Sequence, residues 1–128
     1  MKKVMSIMLI SACLFGCSVP ENTQNTYRQI TMDDAVTMMA EQEGYIILDV
    51  RRPDEFAAGH IPGAINVPNE TIGTDSIPEL PLKDQLILVY CRSGNRSKQA
   101  SAKLVNLGYT NIVEFGGIID WPGEIVKE

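Results

Sequence analysis

One run of seven residues, Cys91-Arg92-Ser93-Gly94-Asn95-Arg96-Ser97, puts a thiol directly ahead of two arginines and a glycine. It follows the apolar stretch Leu86 to Tyr90 and precedes a helical pattern. A strand, a tight loop and a helix N-terminus together form an anion-binding arrangement, because successive backbone N–H groups can point into one hollow and the helix dipole adds positive potential. Gly94 permits the positive φ that such a loop needs. Arg92 and Arg96 add two full charges, and a thiol in that field should ionise readily and act as a nucleophile.

The cysteine count sharpens this reading. The chain has 128 residues and three cysteines, Cys13, Cys17 and Cys91. Lys2 and Lys3 precede an uncharged apolar run from Val4 to Phe15. That run is too short for a membrane span and fits the core of a signal peptide over residues 1–16. It ends Leu14-Phe15-Gly16-Cys17, which resembles the lipobox of bacterial lipoproteins. The resemblance implies that Cys17 becomes a lipid-bearing mature N-terminus, and several acyl chains give stable anchoring. A rival box, Ile10-Ser11-Ala12-Cys13, leaves a shorter apolar run, so Cys17 is favoured. Residues 17–26 then read as a polar tether. With Cys13 removed and Cys17 lipidated, Cys91 is the only free thiol. That leaves no intramolecular disulfide, no CxxC pair and no zinc set, so no metal or cofactor is expected.

About 112 residues remain for one domain, enough for a core without staples. Hydrophobic residues make up 45% and charged residues 21%, which excludes disorder and fibrous repeats. The full chain has 11 basic and 16 acidic residues. Loss of the two N-terminal lysines makes the mature chain more acidic still, with little from which to build a basic face, so no nucleic-acid partner is expected.

The elements that must hold the thiol alternate. Strands are expected over Tyr27 to Ile30, Tyr45 to Val50, Ile65 to Val67, Leu86 to Tyr90 and Ile112 to Phe115. Thr31 stands where an N-cap belongs, with Asp33 and Asp34 in the first turn and Ala35, Met38 and Met39 as a buried stripe, stopped by Gly44. Short helices are expected over Pro53 to Ala58 and Ser97 to Leu107, with one turn near Glu70 and Gly116-Gly117 turning the last strand. This alternation implies a mostly parallel five-stranded α/β sheet with helices on both faces. Ligands of such sheets sit beyond the carboxyl ends of the strands, which places Asp49, Arg51 and Cys91 on one rim.

The ordered motifs resemble those of single-domain rhodaneses, a sulfurtransferase family. Leu48-Asp49-Val50-Arg51 with Glu55-Phe56, then Gly59-His60-Ile61-Pro62-Gly63-Ala64 and Asn66, match its first signature. Val89 to Ser97 matches its active-site loop, and Gly108-Tyr109, Gly116-Gly117 and Trp121 its closing segment. The match spans residues 27–122, leaving 123–128 as a tail. It implies the rhodanese-like fold, with Cys91 taking the outer sulfur of an anionic donor (thiosulfate or a persulfide) as a persulfide and passing it to cyanide or a thiol. Residues Arg92, Ser93, Gly94, Asn95 and Arg96 would bind the anion, and Asp49 and Arg51 would support the site. Glu55 would pair with Arg51 or the loop, His60 would be a structural turn, and Trp121 would cover the core.

Cys91 and Arg96 enclose four residues, one fewer than the Cys-x5-Arg of related dual-specificity phosphatases, a ring that suits sulfur and crowds a phosphoryl group. The expected protein is a monomeric sulfurtransferase, lipid-anchored in a bacterial cell envelope and facing the periplasm or exterior. The alternative is a tethered sulfur-carrier or redox-partner module with little small-molecule turnover. A binding domain without catalysis is disfavoured by the intact Cys91 loop.

Overall fold

The apolar run Ile87 to Tyr90 is buried on both faces, and it becomes the middle of the sheet. A strand covered on two sides cannot alternate polar and apolar residues, so its continuous hydrophobicity follows from its place. The computed structural model describes residues 26–128. Residues 1–16, read above as a signal peptide, together with Cys17 and nearly all of the expected tether, lie outside the described residues.

Five strands, β1 (Arg28–Gln29), β2 (Ile46–Asp49), β3 (Ile65–Asn66), β4 (Ile87–Cys91) and β5 (Ile112–Gly117), form one sheet in the order β1-β5-β4-β2-β3. Every pairing is parallel. Helices α1 (Met32–Glu41) and α2 (Pro53–Ala58) cover one face, and α3 (Asn95–Asn106) covers the other. Under α3, Leu48, Val50, Val89 and Ile112 pack against Ala100 and Leu104. On the opposite face Ile47, Leu88, Tyr90, Val113 and Phe115 meet Ala35, with Met38, Met39 and Phe56 packed on the cluster. This is the expected α/β architecture with helices on both faces.

The local signals act as their chemistry dictates. The Thr31 hydroxyl accepts the Asp34 N–H at 3.0 Å and starts α1. The turn near Glu70 is a 3₁₀ turn over Asn69–Thr71. Most element ends shift by one residue from the sequence expectation, and two shift by two. Helix α3 begins at Asn95, two residues early, because Gly94 caps it in the left-handed region at φ 113° and no side chain is needed there. Strand β5 runs on through Gly117 and does not turn at the glycine pair. Gly116, at φ 103°, coincides with a register shift that brings Gly117 opposite Cys91.

From β2 the chain moves to β3 on one side, whereas from β4 it moves to β5 on the other. The carboxyl ends of β2 and β4 therefore flank the point where the connections diverge. In open parallel sheets that crevice is where ligands bind.

Candidate active site

Cys91 closes β4, and its side chain is 1% exposed. Its covering includes polar groups turned inward. The Gly94 N–H donates to Sγ at 3.0 Å, and the Ser97 hydroxyl lies 3.5 Å from the sulfur. Burial pushes the thiol pKa up, but the Ser97 hydroxyl and the N–H groups of Ser97, Gly94 and Ser93 outweigh it and leave the pKa below its ordinary value. The sulfur thus sees fixed amide dipoles from the loop and the first turn of α3.

This loop closes only because a partner residue lacks a side chain. A Cβ on Gly117 would stand 2.0 Å from the Arg92 carbonyl oxygen and 2.6 Å from Ser93 Cα. Gly117 has an ordinary φ of −136°, so contact, not conformation, demands glycine there. The same stretch is tied again where Ile119 N–H donates to the Arg92 carbonyl at 3.3 Å.

The two arginines of the loop have different surroundings. Arg92 is exposed, and among the described residues no carboxylate pairs with it. Arg96 is held by Glu55 of α2, with Nη1–Oε1 at 2.7 Å and Nη2–Oε2 at 3.2 Å. That bidentate pair, with the Arg52 N–H also donating to Glu55, draws the Glu55 carboxyl down to about 2. Of the two partners expected for Glu55, the structure selects the loop. Ser93 and Asn95 are exposed beside Arg92, and Gly94 is buried beneath them.

Asp49 and Arg51 share the rim with Cys91 but lie toward the other face, because side chains alternate along a strand. Asp49 is fully buried and accepts from Arg51 Nη2 at 2.6 Å and Nε at 3.0 Å. Arg51 also donates to the Gly59 carbonyl at 2.7 Å. Tyr90 completes this cluster: its hydroxyl accepts the Ile61 N–H at 3.1 Å, and burial together with Asp49 pushes its pKa up. His60 is buried, stacked on Phe56 at 3.7 Å between ring centroids, with Nδ1 2.8 Å from the Phe56 carbonyl. Val126 bridges to the His60 backbone in both directions at 2.9 Å, so the residues beyond 122 fold back onto this turn. Trp121 packs against the core cluster on this side of the sheet.

A family model described as the rhodanese-like domain matches residues 31–123. The chain belongs to the rhodanese-like domain family. This rhodanese-like chain is 38% identical over 94 residues to a sulfurtransferase of Allochromatium vinosum, covering 73% of the chain and 86% of that protein. It is 37% identical over 106 residues to the thiosulfate sulfurtransferase GlpE of Pseudomonas entomophila, covering 79% and 94% respectively. Among solved structures, a rhodanese with anions from E. coli matches with a TM-score of 0.60 at 33% identity, over 66% of this chain and 99% of that one. A rhodanese-related protein from Thermoplasma volcanium matches with a TM-score of 0.66 at 31% identity, over 80% and 100%.

Two side chains in this rhodanese-like site carry no assigned role in the sequence reading. Ser97, the last residue of the loop motif, touches the sulfur. Glu114 of β5 is buried behind it, and the Ser97 hydroxyl donates to Oε2 at 2.5 Å. The available signal was a lone acid inside the apolar strand Ile112 to Phe115.

Proposed function

We propose that the protein is a sulfurtransferase that moves a sulfane sulfur from an anionic donor such as thiosulfate, through a persulfide on Cys91, to a thiophilic acceptor. The observation that carries this reading is the Cys91 sulfur at the end of β4, 3.0 Å from the Gly94 N–H and surrounded by loop amides. In the first step the Cys91 thiolate attacks the outer sulfur of thiosulfate. A Cys91 S–S bond forms, the bond between the two donor sulfurs breaks, and its electron pair leaves with sulfite. In the second step cyanide or a thiolate attacks the outer sulfur, and the Cys91 thiolate departs. The amides that hold the thiolate in the resting site face the anionic sulfur in both half-reactions, as covalent two-step catalysis requires. Arg92, exposed and without a carboxylate partner among the described residues, attracts the anionic donor. Ser93, Gly94 and Asn95 shape the loop that receives it, while Arg96 braces that loop through Glu55. Asp49 and Arg51 support the site from the other face of the sheet.

Supporting the activity are the names of two relatives, a sulfurtransferase and a thiosulfate sulfurtransferase, each matched over more than four-fifths of its length. Intact mass after thiosulfate treatment tests the reading. A gain of one sulfur atom is expected, absent in Cys91→Ser and reversed by cyanide. No gain in the wild-type protein would refute it.

Export and lipidation form a separate part of the proposal, supported by the Lys2-Lys3 start, the uncharged run and Gly16-Cys17. On this reading Cys17 carries lipid and the domain works as a monomer in a bacterial envelope, outside the cytoplasmic membrane. Membrane fractionation tests it: the wild type should sediment with membranes and Cys17→Ser should not. A wild type that stays soluble would sink the anchor without touching the sulfur chemistry.

A further inference from the structure

Glu114 is 2% exposed, and among the described residues no cation pairs with it. Its Oε2 accepts two hydrogen bonds, from the Ser97 hydroxyl at 2.5 Å and from the Gly116 N–H at 3.0 Å. A carboxylate kept in the interior without a counter-charge is costly, so its place invites a chemical explanation. The Ser97 contact has the length of a hydrogen bond to an ionised acceptor.

Ser97 connects that carboxylate to the reacting atom. Its hydroxyl has one hydrogen and three acceptors in reach, Glu114 Oε2 at 2.5 Å, the Gly94 carbonyl at 2.9 Å and the Gly116 carbonyl at 3.4 Å, while its oxygen accepts from Cys91 Sγ at 3.5 Å. It donates fully to one at a time. With Glu114 ionised, the hydrogen goes to the carboxylate and the Ser97 oxygen can accept the Cys91 S–H. With Glu114 protonated, the carboxyl donates to Ser97 and Ser97 can donate to the thiolate. The two arrangements contain the same atoms and the same net charge.

We propose that Ser97 and Glu114 form a proton relay for Cys91, in which the thiol proton passes to the Ser97 oxygen as the Ser97 proton passes to Glu114 Oε2. The S–H and original O–H bonds break while new O–H bonds form on Ser97 and Glu114. The negative charge moves from a carboxylate held by two donors to a sulfur facing the loop amides. Ser97 touches the reacting sulfur, and Glu114 is a positioning residue that acts through it. The relay rests on the reading of Cys91 as the nucleophile and supplies the thiolate that reading needs.

Few other groups can imitate this titration. The charged neighbours on the loop are Arg92 and Arg96, and on α2 Glu55, which is held down at about 2 by Arg96. Gln29 of β1 pairs in register with Glu114, Val89 of β4 lies opposite it, and Ser101 is one turn beyond Ser97 on α3; none carries charge. The Asp49–Arg51 pair lies toward the other face of the sheet.

The test is the rate of Cys91 alkylation by iodoacetamide from about pH 4 to about pH 10, followed in the full chain by mass spectrometry of the Cys91 peptide. Two coupled groups that share a proton titrate in two macroscopic steps. The wild type should show two rises separated by a plateau, across which the relayed form supplies a constant thiolate fraction. Glu114→Gln and Ser97→Ala cut the relay at different atoms, and each should leave a single rise. A single rise in the wild type overturns the proposal, as does a plateau that survives in either folded variant. Alkylation reports thiol protonation alone, so this outcome is independent of whether thiosulfate adds sulfur to Cys91.

Discussion

Replacing Gly117 with alanine tests whether the loop around Cys91 is held by backbone contact. The added Cβ would lie 2.0 Å from the Arg92 oxygen, 2.4 Å from the Arg92 carbonyl carbon and 2.6 Å from Ser93 Cα. Ordinary contact begins near 3.4 Å, so the loop and β5 must separate by about 1.4 Å in a close-packed region. The obstructing atoms are backbone, and no flexible side chain can absorb the movement. The 3.0 Å contact between Gly94 N–H and Sγ belongs to the same loop and should be lost. A hydrogen bond to a charged acceptor is worth about 1.5–3 kcal/mol, so its loss should push the thiol pKa up and slow neutral-pH alkylation about 10–100-fold. Overpacking of this kind costs about 2 kcal/mol, which lowers Tm by about 8–16 °C in a domain of this size. The paired assays are Cys91 alkylation rate and calorimetry. Gly73→Ala is the control, because a Cβ there meets nothing within 4 Å and should change stability by less than about 0.5 kcal/mol. A folded Gly117→Ala protein with the wild-type alkylation rate would refute the view that this contact sets the loop.

Two other substitutions probe the charged groups that brace the site. In the folded protein Glu55 is held at about 2 against an ordinary 4.5, so its ionised form stabilises the fold above about pH 4.5 and that contribution fades as pH falls toward 2. The full difference corresponds to about 3 kcal/mol; with side chains 18% and 30% exposed, solvent screening reduces the expected loss in Glu55→Gln to about 1 kcal/mol at pH 7. Urea unfolding should show that loss shrinking by more than about half at pH 3, and an equal loss at both pH values would contradict the assignment. Asp49→Asn removes the charge facing buried Arg51 and should cost about 3–5 kcal/mol in the same assay. A loss below about 1 kcal/mol would show that the pair does not hold the rim together.

Much of this protein can be read without coordinates. The unbroken apolar run before Cys91 reads as a buried strand, and Thr31 ahead of two aspartates can satisfy the free amides of a new helix. Alternation then places the ends of β2 and β4 at one rim. These conclusions rest on local chemistry and on periods of two and 3.6, which a short window of residues contains. Distances between parts of the chain far apart in sequence are different. Glu55 could pair with Arg51 or with the loop, and its choice of Arg96, 41 residues away, follows from how α2 and α3 flank the diverging strands. Gly117 reads as a turn until the register shift of β5 brings it against the Arg92 carbonyl. Glu114 reads as an oddity in an apolar strand until α3 lays Ser97 between it and the thiol. Nearby residues declare a strand, a cap or a candidate nucleophile through their own side chains, but which carboxylate stands behind the thiol depends on register and helix placement, which only the packed sheet decides.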